Sequence, residues 1–290
     1  MTLSGRAVAF GAVTVINAIS CGLGAALGIR LRTEASVELT DQPGRIEGRI
    51  LSDPQESTVL IEKTVTHVLR HFGVEEEYGA HVETRSNIPI ARGLKSSSAA
   101  ANAIVLAVLD ALGEEADDMT IVNLGVDAAL EAGVTITGAF DDASASYLGG
   151  LTITDNRERK ILKHIRMDEQ HPVLIYVPPK KAYTAKSNVE RMQLIAKEVK
   201  ALHRMASLGD FWPAMTLNGI IYSEVLGYNV EIVIDALAAG ALAAGLSGTG
   251  PAVAAVVPQE KLEEVKGSWR KYGGTLIETR INSEKSHILR

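Results

Sequence analysis

The chain has 290 residues, 46% of them hydrophobic, enough to bury the core of one large domain or of two. Acidic residues outnumber basic ones 35 to 29, a net charge of −6 with no basic tail, which excludes general nucleic-acid binding. The single cysteine, Cys21, excludes an internal disulfide and fits a reducing cytoplasm, the expected location.

Residues 7–29 carry no charge, a length that could span a membrane. The segment is broken by Gly11, Gly22, Gly24 and Gly28, with Thr14, Asn17 and Ser20 between them. Val8, Phe10, Val13, Val15 and Ile16 predict a buried strand instead, followed by a glycine-rich turn. Arg6 is the only early charge and no linker follows, so a secretory signal is not expected either.

Leu31, Thr33, Ala35, Val37 and Leu39 alternate as a half-buried strand. A turn at Gln42–Gly44 leads to a strand over Ile46–Leu51. A helix is expected over Pro54–Phe72, ending before Gly73, and another alternating strand over Ala80–Ile88. A nearly all-apolar helix then runs to Leu112, and a second from about Met119 to Ala132. A new section begins near Arg159, with an apolar strand at Pro172–Val177. Ser187 and Glu190 form a capping box ahead of an amphipathic helix whose inner face carries Val189, Met192, Ile195, Val199, Leu202 and Met205. Helices from Trp212 to about Gly227 and over Glu231–Ala244 follow. The Gly245–Pro251 turn then precedes a buried strand, Ala252–Val257. A helix over Glu260–Tyr272 and a strand over Thr275–Ile281 close the chain. This order predicts two α+β domains, meeting at a cleft near residues 150–170.

The most informative segment is Pro89–Ala103. A Gly93–Leu94 turn and Lys95 run into three serines, Ser96, Ser97 and Ser98, which open the apolar helix. A helix N-terminus offers unpaired N–H groups and a positive dipole end, and small side chains let a phosphate approach them. One serine would cap the helix; three exceed what capping requires. Gly245–Pro251 could wrap a phosphate or substrate, or be a helix C-cap and tight turn. Asp141 and Asp142 open a short helix of small residues, where either could cap it or orient a hydroxyl. Asp127 and Glu131 lie one turn apart, a like-charged pair that a cation would relieve; for Asp127 a solvated acidic face is expected. His67 and His71 are read as a solvent-facing pair, because no third zinc ligand follows in pattern. No P-loop, dinucleotide fingerprint or hydrolase elbow is present.

Three of these segments occur in the order of the GHMP kinase superfamily, which includes homoserine, mevalonate and galactose kinases. Gly11–Gly28 resembles its first motif, Pro89–Ala103 its second and Gly245–Pro251 its third. Within the superfamily, Gly93–Ala99, Thr137–Asp142, Lys181–Ala185, Ala214–Gly219 and Ser247–Pro251 resemble the archaeal-type shikimate kinases. The resemblance covers essentially the whole chain. It implies an α+β, two-domain GHMP fold: an N-terminal mixed sheet with helices over residues 1–158, and a C-terminal ferredoxin-like α/β sandwich over 159–290. It also implies ATP-dependent phosphorylation of the 3-hydroxyl of shikimate in aromatic amino-acid biosynthesis, with Mg²⁺. The implied partner is that small molecule, with no nucleic acid and no membrane, and the chain would be a monomer or homodimer. A homoserine or mevalonate kinase, a GHMP-fold decarboxylase and a non-catalytic sensor are the rival readings.

Site roles follow from the same motif matches. Pro89, Arg92, Gly93, Leu94, Lys95, Ser96, Ser97, Ser98 and Ala99 would bind ATP, with the amides of Lys95–Ser98 on the phosphates. Ser97 or Ser98 would face Mg²⁺, together with Glu131. Asp141 matches the catalytic aspartate and would accept or orient the hydroxyl proton. Ser247, Gly248 and Thr249 would meet the substrate. The acceptor's carboxylate should need a cation, for which Arg92, Lys181 and Arg204 are candidates. The chain departs from mevalonate kinases in one respect: Gly11–Gly28 contains no lysine to partner the aspartate. Lys95, in the phosphate loop, could supply positive charge to the phosphates instead.

Overall fold

Two long strands set the frame of the computed structural model, which describes residues 3–179 and 188–290. β1 (Ser4–Ile16) and β2 (Leu23–Thr40) pair antiparallel along almost their whole length. A 3₁₀ turn at Ala18–Ser20 joins them, capped by Asn17, whose side-chain oxygen accepts from the Ile19 N–H. Gly24 and Gly28, expected in a turn, lie inside β2. They are needed there for close approach: a Cβ on Gly24 would stand 2.5 Å from an Asp141 carboxylate oxygen, and one on Gly28 2.8 Å from the Asn282 carbonyl.

β4 (Gly79–Ser86) pairs with the outer half of β2, and β3 (Ile46–Ile50) lies parallel to β4. β5 (Leu151–Asp155) pairs with the inner half of β2, and β6 (Lys160–Ile165) with β5. α1 (Val59–His71), α2 (Ser96–Leu112), α3 (Asp118–Glu131) and α4 (Phe140–Leu148) accompany this mixed sheet. α2 is apolar nearly all round because it is enclosed, with β1 and β2 on one side and α1, α3 and α4 around the rest. The first helix starts at Val59 rather than Pro54, because residues 53–56 close a turn of their own, Glu56 N–H to Asp53 C=O.

The second sheet has the order β10 (Thr275–Arg280), β7 (Pro172–Val177), β9 (Val253–Val256), β8 (Ala243–Leu246), antiparallel throughout. In chain order, helices lie between β7 and β8 and between β9 and β10, which is the expected ferredoxin-like arrangement. The sheets change over later than the expected domain division at residues 158 and 159, since β6 still belongs to the first. The chain end also returns to the first sheet, where β11 (His287–Ile288) pairs with β1.

Several elements differ from the sequence reading. The amphipathic helix is broken into α5 (Val189–Gln193) and α6 (Ala196–Leu208). Its described cap is Asn188, whose side chain accepts from the Arg191 N–H; Ser187 and the Lys181–Ala185 segment lie outside the described residues. α7 (Phe211–Leu226) is as expected, but α8 (Glu231–Ala238) stops short. Gly240, at φ +99°, turns the chain so that Ala243 and Ala244 enter β8. Gly245–Pro251 therefore connects two strands, not a helix and a strand. α9 (Leu262–Trp269) lies between 3₁₀ turns at Gln259–Lys261 and Arg270–Tyr272, and buries Trp269, whose indole N–H donates to the Ile232 carbonyl. Among the described residues no helix is long and apolar enough to cross a membrane.

α7 lies on β8 through bare backbone: a Cβ on Gly219 would stand 2.2 Å from the Gly245 Cα. Helix propensity favours Ala over Gly by about 1 kcal/mol. Overpacking typically costs about 1–3 kcal/mol, and here no flexible side-chain end can yield. With the clash against backbone placing the steric cost at the upper end of that range, Gly219→Ala is expected to destabilise the protein by roughly 2 kcal/mol net. Urea unfolding measures this, and a variant as stable as the parent would refute the contact.

Candidate active site

The phosphate loop is shaped by three backward-turning residues. Ala91, Gly93 and Lys95 have φ of 55°, 80° and 63°, so the chain zigzags out of β4 and into α2. Left-handed backbone is costly for Ala and Lys, and such strain clusters at functional sites. Lys95 occupies the cap position of α2, and no side chain caps the helix. The serines thus do not perform the capping that would have explained them. The first-turn N–H groups remain free for an anion, and Ser96 and Ser97 line a cavity of about 340 Å³.

The third motif closes on this loop. Ser247 Oγ donates to the Gly93 carbonyl at 2.7 Å and accepts from the Thr14 N–H at 3.2 Å. Asn17 donates to the Gly248 carbonyl at 2.8 Å. Its own N–H goes to Asn218 Oδ1 at 3.1 Å, and its carbonyl accepts from Tyr222 OH at 3.1 Å. The end of β1, the phosphate loop and the β8–β9 loop are thereby one hydrogen-bonded unit.

The charged centre lies at this junction. Lys95 is 8% exposed; its Nζ stands 2.9 Å from Asp142 Oδ1 and donates to Thr14 Oγ1 at 2.8 Å. Asp141, one residue earlier on α4, is also buried; its Oδ1 accepts from Asn156 Nδ2 at 2.7 Å. Burial pushes the Asp141 carboxyl up to about 7, and the Asp142 charge adds to this; Lys95 and the Asn156 amide oppose it. Both carboxyls and Lys95 line the cavity.

Of the residues expected at the site, Gly93, Lys95, Ser96, Ser97, Asp141, Gly248 and Thr249 line the cavity. Leu94 and Ala99 are buried in the core beneath it, and Ser98 is buried behind Ser97. Pro89 is not part of the wall, although its neighbours Ile90 and Ala91 are. Arg92 is turned away: its guanidinium donates to the Pro178 and Pro179 carbonyls at 2.8 and 2.7 Å. Arg204 is exposed on α6, apart from the cavity, and Lys181 lies outside the described residues. Ser247 is buried, bonding the loops together rather than forming the wall. Glu131 has Lys63 Nζ at 2.6 Å and His67 Nε2 at 2.7 Å on its two oxygens; the wall begins with the next residue, Ala132. These partners hold its carboxyl below the usual range, chiefly through the Lys63 hydrogen bond.

Asp127 is not a bare acidic face, since Arg159 pairs with it at 2.5 Å. His71 packs edge-on to the Phe72 ring, and no group of three or more His, Cys, Asp or Glu able to hold a metal occurs among the described residues. The cleft expected near residues 150–170 is instead formed by the three loops, α1, β3, β4 and the 132–139 segment. Sequence reasoning missed Thr14, Asn17, Ser86 and Thr137 as wall residues. Thr14 and Asn17 had a faint signal, as polar residues in an otherwise apolar run.

Comparison with known proteins identifies the family. Residues 59–150 match the model of the GHMP kinases N terminal domain, and residues 192–275 that of the GHMP kinases C terminal. The shikimate kinase of Methanosarcina mazei is 50% identical over 98% of this chain and 96% of its own length. That of Methanothermobacter thermautotrophicus is 45% identical over 96% of both. Among solved structures, homoserine kinase from Cytophaga hutchinsonii superposes with a TM-score of 0.79 at 18% identity, covering 100% of this chain and 98% of its own. Mevalonate kinase from Methanococcus jannaschii superposes with a TM-score of 0.75 at 19% identity, covering 97% and 98%. The chain belongs to the GHMP kinase family, in its archaeal-type shikimate kinase branch.

The raised Asp141 pKa has a consequence for stability. A carboxyl at 3.8 when unfolded and about 7 when folded binds its proton more tightly in the folded state. Its contribution to stability is therefore present at low pH and lost as pH rises from about 4 to 7. Asp141→Asn removes this loss. Relative to the parent, the variant is expected to gain roughly 1–4 kcal/mol across that window. Urea unfolding at several pH values tests it, and a difference independent of pH would contradict the assignment.

Proposed function

We propose that this chain is a shikimate kinase, transferring the γ-phosphoryl group of ATP to the 3-hydroxyl of shikimate in aromatic amino-acid biosynthesis. The observation that carries the reading is a single cavity that holds an uncapped helix N-terminus together with a buried lysine and two carboxyls. Full-length relatives named shikimate kinase supply the acceptor.

The cavity suits ATP in its donor chemistry. The amides of Lys95–Ser98 receive the phosphates at the positive end of α2, and Gly93 keeps the loop thin. Lys95 offsets the charge that spreads over the transferring group. Asp141, with a pKa near neutrality, accepts the proton of the attacking hydroxyl. The acceptor oxygen bonds to the γ-phosphorus as the bond to the β-phosphate oxygen breaks, and ADP leaves. Such transfer depends on positioning and charge more than on covalent help from the protein. The buried rigid wall serves that need better than a solvated one.

Mg²⁺ entering with ATP needs few protein ligands, since phosphates and water fill most of its shell. Among the described residues the cavity has no dedicated metal cage, and it offers serine hydroxyls at its phosphate end, which fits such an ion. Ser97, with Ser98 behind it, and Glu131 would hold it. When bound, it neutralises charge on the phosphates. Glu131 is exposed and its present partners are half-buried, and ion pairs open to water are weak and screened, so a divalent ion can displace them.

Two measurements test these roles. ADP release from Mg-ATP is expected with shikimate and not with homoserine or mevalonate, and the product should carry phosphate on the 3-oxygen. Turnover with a different acceptor would replace the substrate assignment, and none with any acceptor would remove the kinase reading. Separately, Glu131→Gln is expected to raise the Mg²⁺ concentration for half-maximal turnover. An unchanged Mg²⁺ titration would take Glu131 out of the metal shell.

A further inference from the structure

One side chain on β1 stands where all three loops meet. Thr14 is 2% exposed, and its hydroxyl oxygen accepts two hydrogen bonds, from Lys95 Nζ and from the Gly248 N–H, each at 2.8 Å. A hydroxyl oxygen has two lone pairs, so both are taken. The ammonium of Lys95 has three N–H bonds. Thr14 takes one, and the Asp142 carboxylate lies 2.9 Å from the nitrogen. The backbone of Gly248 shields the head on another side, where a Cβ would come within 3.1 Å of Nζ. The remaining donor capacity is directed by these contacts rather than by the long, flexible lysine stem.

We propose that Thr14 is a positioning residue: its hydroxyl fixes the Lys95 ammonium between Asp142 and the transferring phosphoryl group, and sets the third loop against it. Nothing in the sequence motif requires a hydroxyl at this point in a buried strand. A valine would fill the same space, satisfy the strand better and leave two buried donors without an acceptor. The role in transfer rests on the kinase reading above, while the placement of Lys95 does not.

The two are tested separately. In ligand-free protein, acetylation of Lys95 by acetic anhydride is followed by peptide mass analysis. It is expected to be faster in Thr14→Val than in the parent, and near the parent rate in Thr14→Ser, which keeps the oxygen. Equal rates in all three would overturn the placement, whatever acceptor the parent phosphorylates. The transfer role is read from a double-mutant cycle with Lys95→Met, using the acceptor that the parent turns over. Thr14→Val is expected to lower kcat roughly tenfold or more, with a smaller change in KM for the acceptor, and Thr14→Ser to recover most of the loss. In the Lys95→Met background the same change should cost less than about threefold, because its effect runs through the ammonium. Equal losses in both backgrounds would show that Thr14 acts on the fold through Gly248 and would overturn its role in transfer. Should Thr14→Val fail to fold, Thr14→Ala in the same cycle and the same acetylation assay decides the matter by the same criteria.

Discussion

The site depends on a contact made without side chains. Gly93 in the phosphate loop lies so close to Ser247 that a Cβ there would stand 2.0 Å from the Ser247 carbonyl oxygen. Gly93 also has φ +80°, so both backbone conformation and space demand glycine. The contact brings the loop leaving the first sheet against the hairpin loop of the second. The Ser247 hydroxyl locks it by bonding both Gly93 and Thr14. Everything that follows, including the direction of α2 and the position of Lys95, depends on these two loops being held in register.

The buried charges depend on that register in turn. Taking an ammonium and two carboxyls out of water is expensive, and a buried ion pair often returns no more than it costs. Such a cluster is a poor choice for stability alone. Here Lys95 stands in a strained left-handed conformation at the head of α2, where the helix dipole disfavours a cation. Three local rules are thus broken at one residue: backbone conformation, capping and dipole. Their coincidence at the cavity wall is what a functional constraint looks like. The carboxylate of Asp142 and the Thr14 oxygen offset the cost, and an incoming polyphosphate would offset it further.

Much of this was legible in the sequence where one local cause dominates. The alternation of Leu31–Leu39 and the apolar run of α2 have a single periodicity each, and both appear where expected. The Gly93–Ser98 loop stood out in the sequence because glycine, lysine and serines in that order have few other uses, and the structure places it at the cavity. What was not legible depended on neighbours distant along the chain. Gly24 and Gly28 look like turn residues, yet they lie in a strand that passes under Asp141 and Asn282. Ala243 and Ala244 have helical propensity, but Gly240 and pairing with β9 place them in a strand. Arg92 looked like a phosphate or carboxylate ligand, whereas two proline carbonyls at the end of the β7 segment claim it. Lys95 was legible as a substitute for the lysine absent from the first motif, but its pairing with Asp142, 47 residues away, was visible only in space.

The scarcity of aromatic residues, 4% of the chain, is part of the same design. Where Gly5 lies under α2 and Gly219 under β8, backbone meets backbone directly, and an added Cβ would come within 2.2 Å of its neighbour. Elements packed in this way have little freedom to slide, because interiors are close-packed and no long side chain can take up the slack. Phosphoryl transfer asks for that quality. Its rate depends on holding a hydroxyl, a phosphorus and their counter-charges within tenths of an ångström. A chain rich in small residues can place three loops from two sheets around one cavity at that tolerance. Larger, more forgiving side chains at the same contacts would fill the core equally well and position Lys95 and Asp141 less firmly. Gly5 in β1 and Gly219 in α7, outside the cavity wall, therefore belong to the catalytic design as much as the glycines of the loops.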